Sequence, residues 1–331
     1  MKQETISSVA NFSTQDGRCQ MSQEQSEHKT SHLSRRRIMM IVVAMVAVIL
    51  LIPFVSKGKS RAALVGPTLS EIDYTEVSFN NGDLQLAGML ILPEGEGPFP
   101  VAVVIHGSGT SRRDSKWYLT VAKHLQENGI AVLLPDKRGS EKSEGDWRGA
   151  SFEDLAGDTI SAIGYIKDQN QFEYSTIGVL GMSQGGWIAP LVAAKSDDVS
   201  FVVSMSGAGV TTDEQLLFEE TNSITDMGTY PFVARLIAPL TTKNIQRMDF
   251  WRPLAGYDPL PYWERIDAPC FAAFGGDDKN VPVEESVARL QALEKEMLIK
   301  VYPDGGHGIT SPNTGEVLST YLSDLVDFIK E

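Results

Sequence analysis

From residue 75 onward, short β-branched apolar runs alternate with longer stretches whose apolar positions recur every three to four residues. The runs at 76–79, 84–92, 101–105, 131–134, 177–180, 201–205, 270–274 and 299–302 predict eight strands. Helical spacing is clearest in Leu155, Thr159, Ala162, Ile163 and Ile166, which share one face, and again in Leu318, Tyr321, Leu322, Leu325 and Ile329. Too few residues separate the first two runs for anything but a hairpin. Helices link the rest. That order predicts an α/β fold with a mostly parallel, doubly wound sheet covered by helices on both faces.

One interval breaks the rhythm. About sixty residues, 207–268, separate the sixth and seventh strands, where a plain crossover needs far fewer. Aromatic residues and methionines are frequent there, among them Phe218, Met227, Tyr230, Phe232, Met248 and Trp251. The expectation is a helical cap inserted between strands 6 and 7; the plainer alternative is an enlarged surface helix with its own small core.

The first 75 residues carry a different pattern. Residues 1–37 are rich in Ser, Gln, Glu and Thr without apolar periodicity and read as a disordered tail. Residues 38–55 contain no charge; as a helix they span roughly 27 Å, close to a bilayer core. Arg35, Arg36 and Arg37 precede them, which predicts an uncleaved signal anchor with the N-terminus cytoplasmic and the following domain extracytoplasmic. No A-x-A-like cleavage site follows, and cleavage, giving a secreted protein, is the alternative. Residues 56–75 read as a linker, and 76–331 as the folded α/β domain.

Charge sharpens this division. Residues 1–37 hold six Lys/Arg against four Asp/Glu (net +2), and Lys57, Lys59 and Arg61 add +3 over 38–61. The whole chain is −14, so residues 62–331 carry −19. So acidic a domain repels polyanions, and nucleic acid is excluded as a partner. Cys19 and Cys270 are too far apart in sequence to suggest a disulfide framework, and neither has the flanking His or second Cys of a metal site. No cofactor or metal is expected.

Candidate chemistry centres on Gly181-Met182-Ser183-Gln184-Gly185. A G-x-S-x-G string alone is weak, but this one lies between a predicted strand and a predicted helix, the context of a nucleophile elbow. A serine hydroxyl needs a base. Of five histidines, His28 and His32 lie in the tail, His124 lies within a helix, and His106 ends the third strand. His307, in the loop Gly305-Gly306-His307-Gly308 past the last strand, is the expected base. A carboxylate orienting it belongs after the seventh strand, where Asp277 and Asp278 stand side by side; spacing leaves both open. An oxyanion hole requires two N–H donors, expected from Gln184 at the helix start and Ser108 in the loop His106-Gly107-Ser108-Gly109. His106 is read as a brace for that loop, and Arg112 and Arg113 as solvated loop residues, with contact to an anionic substrate as the alternative.

Together these motifs resemble the α/β-hydrolase superfamily, in its branch of prolyl-oligopeptidase and dienelactone-hydrolase-like serine esterases. The likeness covers about 76–331 and includes Asp136-Lys137-Arg138-Gly139, similar to the family's D-x-R-G segment. The family's G-x-x-D-x-x-V-P pattern falls on Gly275, Asp278, Val281 and Pro282, which implies Asp278 as the acid. One departure stands out: Glu141 occupies the second glycine of R-G-x-G-x-S. The resemblance implies a serine hydrolase with the triad Ser183, Asp278 and His307, acting on carboxylic esters. A peptidase or thioesterase is the alternative within the same chemistry, with Glu219 and Glu220 as candidate partners for a substrate ammonium. From another class, the alternative is a non-catalytic binding protein of the same fold.

Overall fold

Apolar runs become strands where the pattern predicts them, in a computed structural model that describes residues 39–40 and 62–331. The strands are β1 (Thr75–Asn81), β2 (Leu84–Ile91), β3 (Phe99–Ile105), β4 (Ala131–Pro135), β5 (Tyr174–Met182), β6 (Val202–Met205), β7 (Cys270–Gly275) and β8 (Leu298–Tyr302). They form one sheet in the order β1-β2-β4-β3-β5-β6-β7-β8. The β1–β2 hairpin is antiparallel, β2 also pairs antiparallel with β4, and every other pairing is parallel. This is the expected α/β architecture.

Alternation along each strand divides the core in two. Val101, Val103 and Ile105 of β3 point to one face, with Cys270, Ala272 and Phe274 of β7. Ala102 and Val104 point to the other, with Phe271 and Ala273. Helices α2 (Phe152–Asp168) and α3 (Gln184–Ala193) cover the first face, and α1 (Lys116–Glu127) and α8 (Ser319–Lys330) cover the second. Helix α2 begins with a capping box in which Ser151 and Asp154 exchange hydrogen bonds. Its predicted stripe, from Leu155 to Ile166, is the buried one.

Between β6 and β7 the chain forms α4 (Thr212–Asp226), α5 (Pro231–Ile245) and the short α6 (Leu260–Trp263); α7 (Val283–Gln291) follows β7. Of the sequence read as a linker, residues 62–75 are held on the domain. The Ala62 N–H donates to Pro312 O and the Val65 N–H to Gly315 O, and Ile72 is buried. The predicted tail at 1–37 lies outside the described residues. So does the predicted anchor at 38–55, apart from Met39 and Met40, which are helical and exposed. Among the described residues no helix is long and apolar enough to cross a membrane.

Candidate active site

β5 ends in a turn that demands glycine on both sides of its apex. Ser183 sits at φ 56° and ψ −119°, a left-handed conformation costly for a residue with a side chain. The chain around it folds so closely that a Cβ on Gly181 would lie 2.1 Å from Gly185 O, and one on Gly185 would lie 2.0 Å from Ile105 O. Glycine is therefore obligatory on both sides of the serine. Two backbone bonds lock the turn: Ser183 N–H donates to Met205 O (2.8 Å), and Gly186 N–H donates to Ser183 O (2.8 Å). Gln184 opens α3, so its N–H lies at the positive end of that helix dipole.

The loop after β8 brings His307 over this turn. His307 Nε2 lies 2.9 Å from Ser183 Oγ, and Nδ1 lies 2.8 Å from Asp278 Oδ2. The Asp278 side chain is fully buried. Its second oxygen, Oδ1, accepts the N–H groups of Asn280 (2.8 Å) and Val281 (3.1 Å). With Oδ1 so occupied, Oδ2 is directed at the imidazole. Neighbouring Asp277 instead faces outward, its carboxylate 2.8 Å from Lys279 Nζ with about half its surface exposed. Trp117 of α1, which the sequence reading did not single out, donates from Nε1 to Gly308 O (3.1 Å) and ties the histidine loop to that helix.

His106 is no rival base. Its Nε2–H donates to Pro135 O (2.7 Å), which leaves Nδ1 as the bare nitrogen, and Nδ1 has no partner. Burial pushes its pKa down to about 4, so the ring is neutral and ties the ends of β3 and β4 together. In the adjoining loop the Gly107 N–H is already engaged by Tyr118 Oη (2.7 Å). Ser108 and Gln184 both border a cavity of about 680 Å³ that also contains Ser183 and His307. Gln215, Glu219, Phe250 and Trp251, all from the 207–268 interval, wall its far side. A cavity of this size suits a small organic substrate. Glu219 lines it, with its carboxylate accepting from Gln215 Nε2 (2.9 Å) and Asn280 Nδ2 (3.0 Å), whereas Glu220 does not.

Lys137 is the main site residue the sequence reading passed over. Its side chain is buried at the cavity wall, and Nζ donates to Gly107 O and to Gln184 Oε1, each at 2.8 Å. It thereby joins the two loops that carry Ser108 and Gln184. The available signal was positional: it is a charged residue just past the C-terminal end of a parallel strand. Burial pushes its pKa from 10.5 down to about 8. Below pH 8 the ammonium is buried at a cost. Between 8 and 10.5 the folded chain sheds that proton while the unfolded chain keeps it, so stability rises with pH. Urea unfolding of wild type and Lys137→Met across pH 7–11 is expected to show wild type gaining on the order of 3 kcal/mol over the variant in that window. A difference that stays constant with pH would refute this role for the burial.

Among the described residues no group of three or more His, Cys, Asp and Glu side chains is placed to hold a metal ion.

Comparison with known proteins shows the family and the fold. The chain is 26% identical over 270 residues to esterase EstD of Thermotoga maritima, covering 75% of this chain and 64% of that protein. It is 24% identical over 258 residues to a putative carboxymethylenebutenolidase of Synechocystis, covering 72% of this chain and 87% of the relative. The structure of the Pyrococcus furiosus esterase Pf2001 has the same fold, with a TM-score of 0.59 at 20% identity, over 83% of this chain and 98% of that one. Residues 117–331 match the model of the prolyl oligopeptidase family. The chain belongs to that family.

In this prolyl oligopeptidase family member the D-x-R-G segment is a brace. Arg138 holds Asp158 of α2 through two bonds of 2.7 Å, and Asp136 accepts from Arg113 Nη2 at 2.7 Å. Arg113 corrects the sequence reading. It is buried, and it also donates to Glu76 of β1 at 2.6 Å, so it is neither solvated nor turned toward the cavity. Only Arg112 behaves as a surface residue, paired with Asp114. Glu141, standing where the family pattern has glycine, adopts φ 50°, the left-handed backbone that glycine would supply without strain. Its Oε1 accepts the Arg113 N–H (3.2 Å), so the departure from the pattern adds a tie within the same brace.

Proposed function

We propose that this chain is a serine hydrolase of carboxylic esters. The observation that carries the reading is the unbroken hydrogen-bonded series from Ser183 Oγ through His307 to the buried Asp278. His307 Nε2 takes the hydroxyl proton as Ser183 attacks the acyl carbon, and Asp278 holds the ring with Nδ1 protonated. Charge develops on the carbonyl oxygen, where the N–H groups of Gln184 and Ser108 receive it; each such donor is worth about a hundredfold to a thousandfold in rate. His307 then returns the proton to the departing alcohol. Water, deprotonated by the same nitrogen, displaces the acyl group as a free acid and regenerates Ser183. The residues at 207–268 act as a cap that closes this site. Residues 38–55 serve as a membrane anchor that places the catalytic domain outside the cytoplasm, with 1–37 as a polar cytoplasmic tail.

A peptidase is the second reading, favoured by Glu219 on the cavity wall and by the family itself. Both Glu219 oxygens already accept amide N–H groups, which weakens its pull on a substrate ammonium. Fluorophosphonate labelling with peptide mapping, followed by a panel of p-nitrophenyl esters and aminoacyl-nitroanilides, tests both. The expected result is an adduct on Ser183 and much faster turnover of esters. Faster turnover of the anilides would favour the peptidase, and a folded protein that takes no label would sink both readings.

A further inference from the structure

Helix α5 is built inside out. Its buried face consists of Ala234, Ala238 and Thr242, spaced four apart, while Phe232, Leu236 and Leu240 at the same spacing point outward. Those three are 63%, 73% and 66% exposed, a reversal of the usual surface helix, whose large apolar residues face the core. Tyr230 stacks on Phe232 at one end, and half-exposed Met248 extends the apolar surface beyond the other. Contiguous exposure on this scale marks an interaction site.

Charge identifies what covers it. Residues 62–331 carry −19, and α4 alone contributes five acids and no base. Yet residues 227–257 hold Arg235, Lys243, Arg247 and Arg252 against the single acid Asp249, a net of +3. On the helical wheel exposed Lys243 falls between Phe232 and Leu236, and exposed Arg235 lies to one side of Phe232. An apolar stripe that carries bases fits the boundary between lipid headgroups and acyl chains, and anionic lipid is attracted to it. Two copies meeting through this same face would set its bases against each other, which disfavours a second copy as the occupant.

The loop that follows α5 reaches the catalytic cavity. Phe250, in the loop after α5, is 40% exposed and also lines that cavity. We propose that the outward face of α5 is a docking surface for an anionic lipid bilayer, and that the esters cleaved are carried in that bilayer. The substrate half of this proposal rests on the hydrolase reading above. Lipid-borne acyl chains pass from the bilayer along Phe250 to Ser183, and water returns the acid and the alcohol.

The test uses the full chain with Cys19→Ser and an environment-sensitive fluorophore on Leu236→Cys, or on Glu94→Cys in the exposed loop before β3 as reference. Phosphatidylglycerol vesicles are expected to shift the emission at 236 and leave 94 unchanged. Pure phosphatidylcholine should act more weakly, and about 0.5 M salt should reduce the anionic response. A silent 236 label, or equal responses at both positions, overturns the docking surface. A shift without vesicles does so too: one that grows with protein concentration identifies a second copy, and one abolished by deleting 38–55 identifies the chain's own apolar segment.

Hydrolysis tests the other half. The variant Phe232→Ser/Leu236→Ser/Leu240→Ser should lose roughly tenfold or more on a vesicle-borne acylglycerol and keep its rate on soluble p-nitrophenyl acetate. Arg235→Gln/Lys243→Gln, which leaves the apolar face intact, should show the same selective loss on anionic vesicles. Unchanged vesicle rates in both variants overturn the substrate assignment. Wild type inactive on both esters with the fluorescence response intact refutes the hydrolase reading and leaves the docking surface standing.

Discussion

Ser183→Ala is expected to lower kcat on p-nitrophenyl esters by roughly five to six powers of ten while leaving the fold intact. The fold survives because the hydroxyl does not make the turn. The bonds from Ser183 N–H to Met205 O and from Gly186 N–H to Ser183 O persist in alanine, and so does the close approach of Gly185 to β3. Alanine suffers the same left-handed strain as serine at φ 56°, so little changes in the backbone. Removing the nucleophile nonetheless leaves the N–H groups of Gln184 and Ser108 in place, and a residual rate of a thousandfold to ten-thousandfold over water should remain. Near-identical unfolding midpoints with turnover reduced to that residue constitute the expected pair of measurements. Turnover within tenfold of wild type would remove Ser183 from the chemistry.

Local signals explain what was legible in advance. β2 to β7 each contain a run buried on both faces, which composition alone reveals, whereas edge strand β1 shows through its alternation, with only Val77 and Phe79 buried. The elbow was visible because its constraints, two glycines and a serine at a strand–helix junction, lie within five residues. Strand ends were less visible. β3 begins at Phe99-Pro100 and β5 at Tyr174, where the pairing shifts register and the residues are only part-buried. Arg113 was misread because its partners, Glu76 and Asp136, are 37 and 23 residues away, and only the folded sheet brings them together. Lys137 was hidden for the same reason, since both acceptors come from other strands' loops. Helix α5 is the instructive case. Periodicity assigns its large apolar stripe to the core, yet the small residues Ala234 and Ala238 are what packs inward. A pattern records which residues share a face, and not which face is covered.

Asp278→Asn is expected to cost about ten-thousandfold in kcat, and Asp277→Asn no more than threefold. The difference follows from how each carboxylate is held. Asp278 Oδ1 accepts two backbone N–H groups, from Asn280 and Val281, so an asparagine there must keep its carbonyl oxygen on that side. Its NH2 group then faces His307 Nδ1 and can only donate. The ring answers by leaving Nδ1 bare and carrying its proton on Nε2, the atom that must accept from Ser183. The base is thus lost without moving an atom, and the geometry that preorganises the wild-type site enforces the wrong tautomer in the variant. Asp277 has no such hold on the ring: its carboxylate meets Lys279 Nζ at the surface, and its N–H donates to Gly305 O with either side chain. Measuring kcat/KM for both variants on one ester, with unfolding midpoints alongside, separates the cases. If Asp277→Asn proved the damaging change, the orienting acid would shift by one residue, and the hydrogen bond from His307 to Asp278 would have to be broken in the working enzyme.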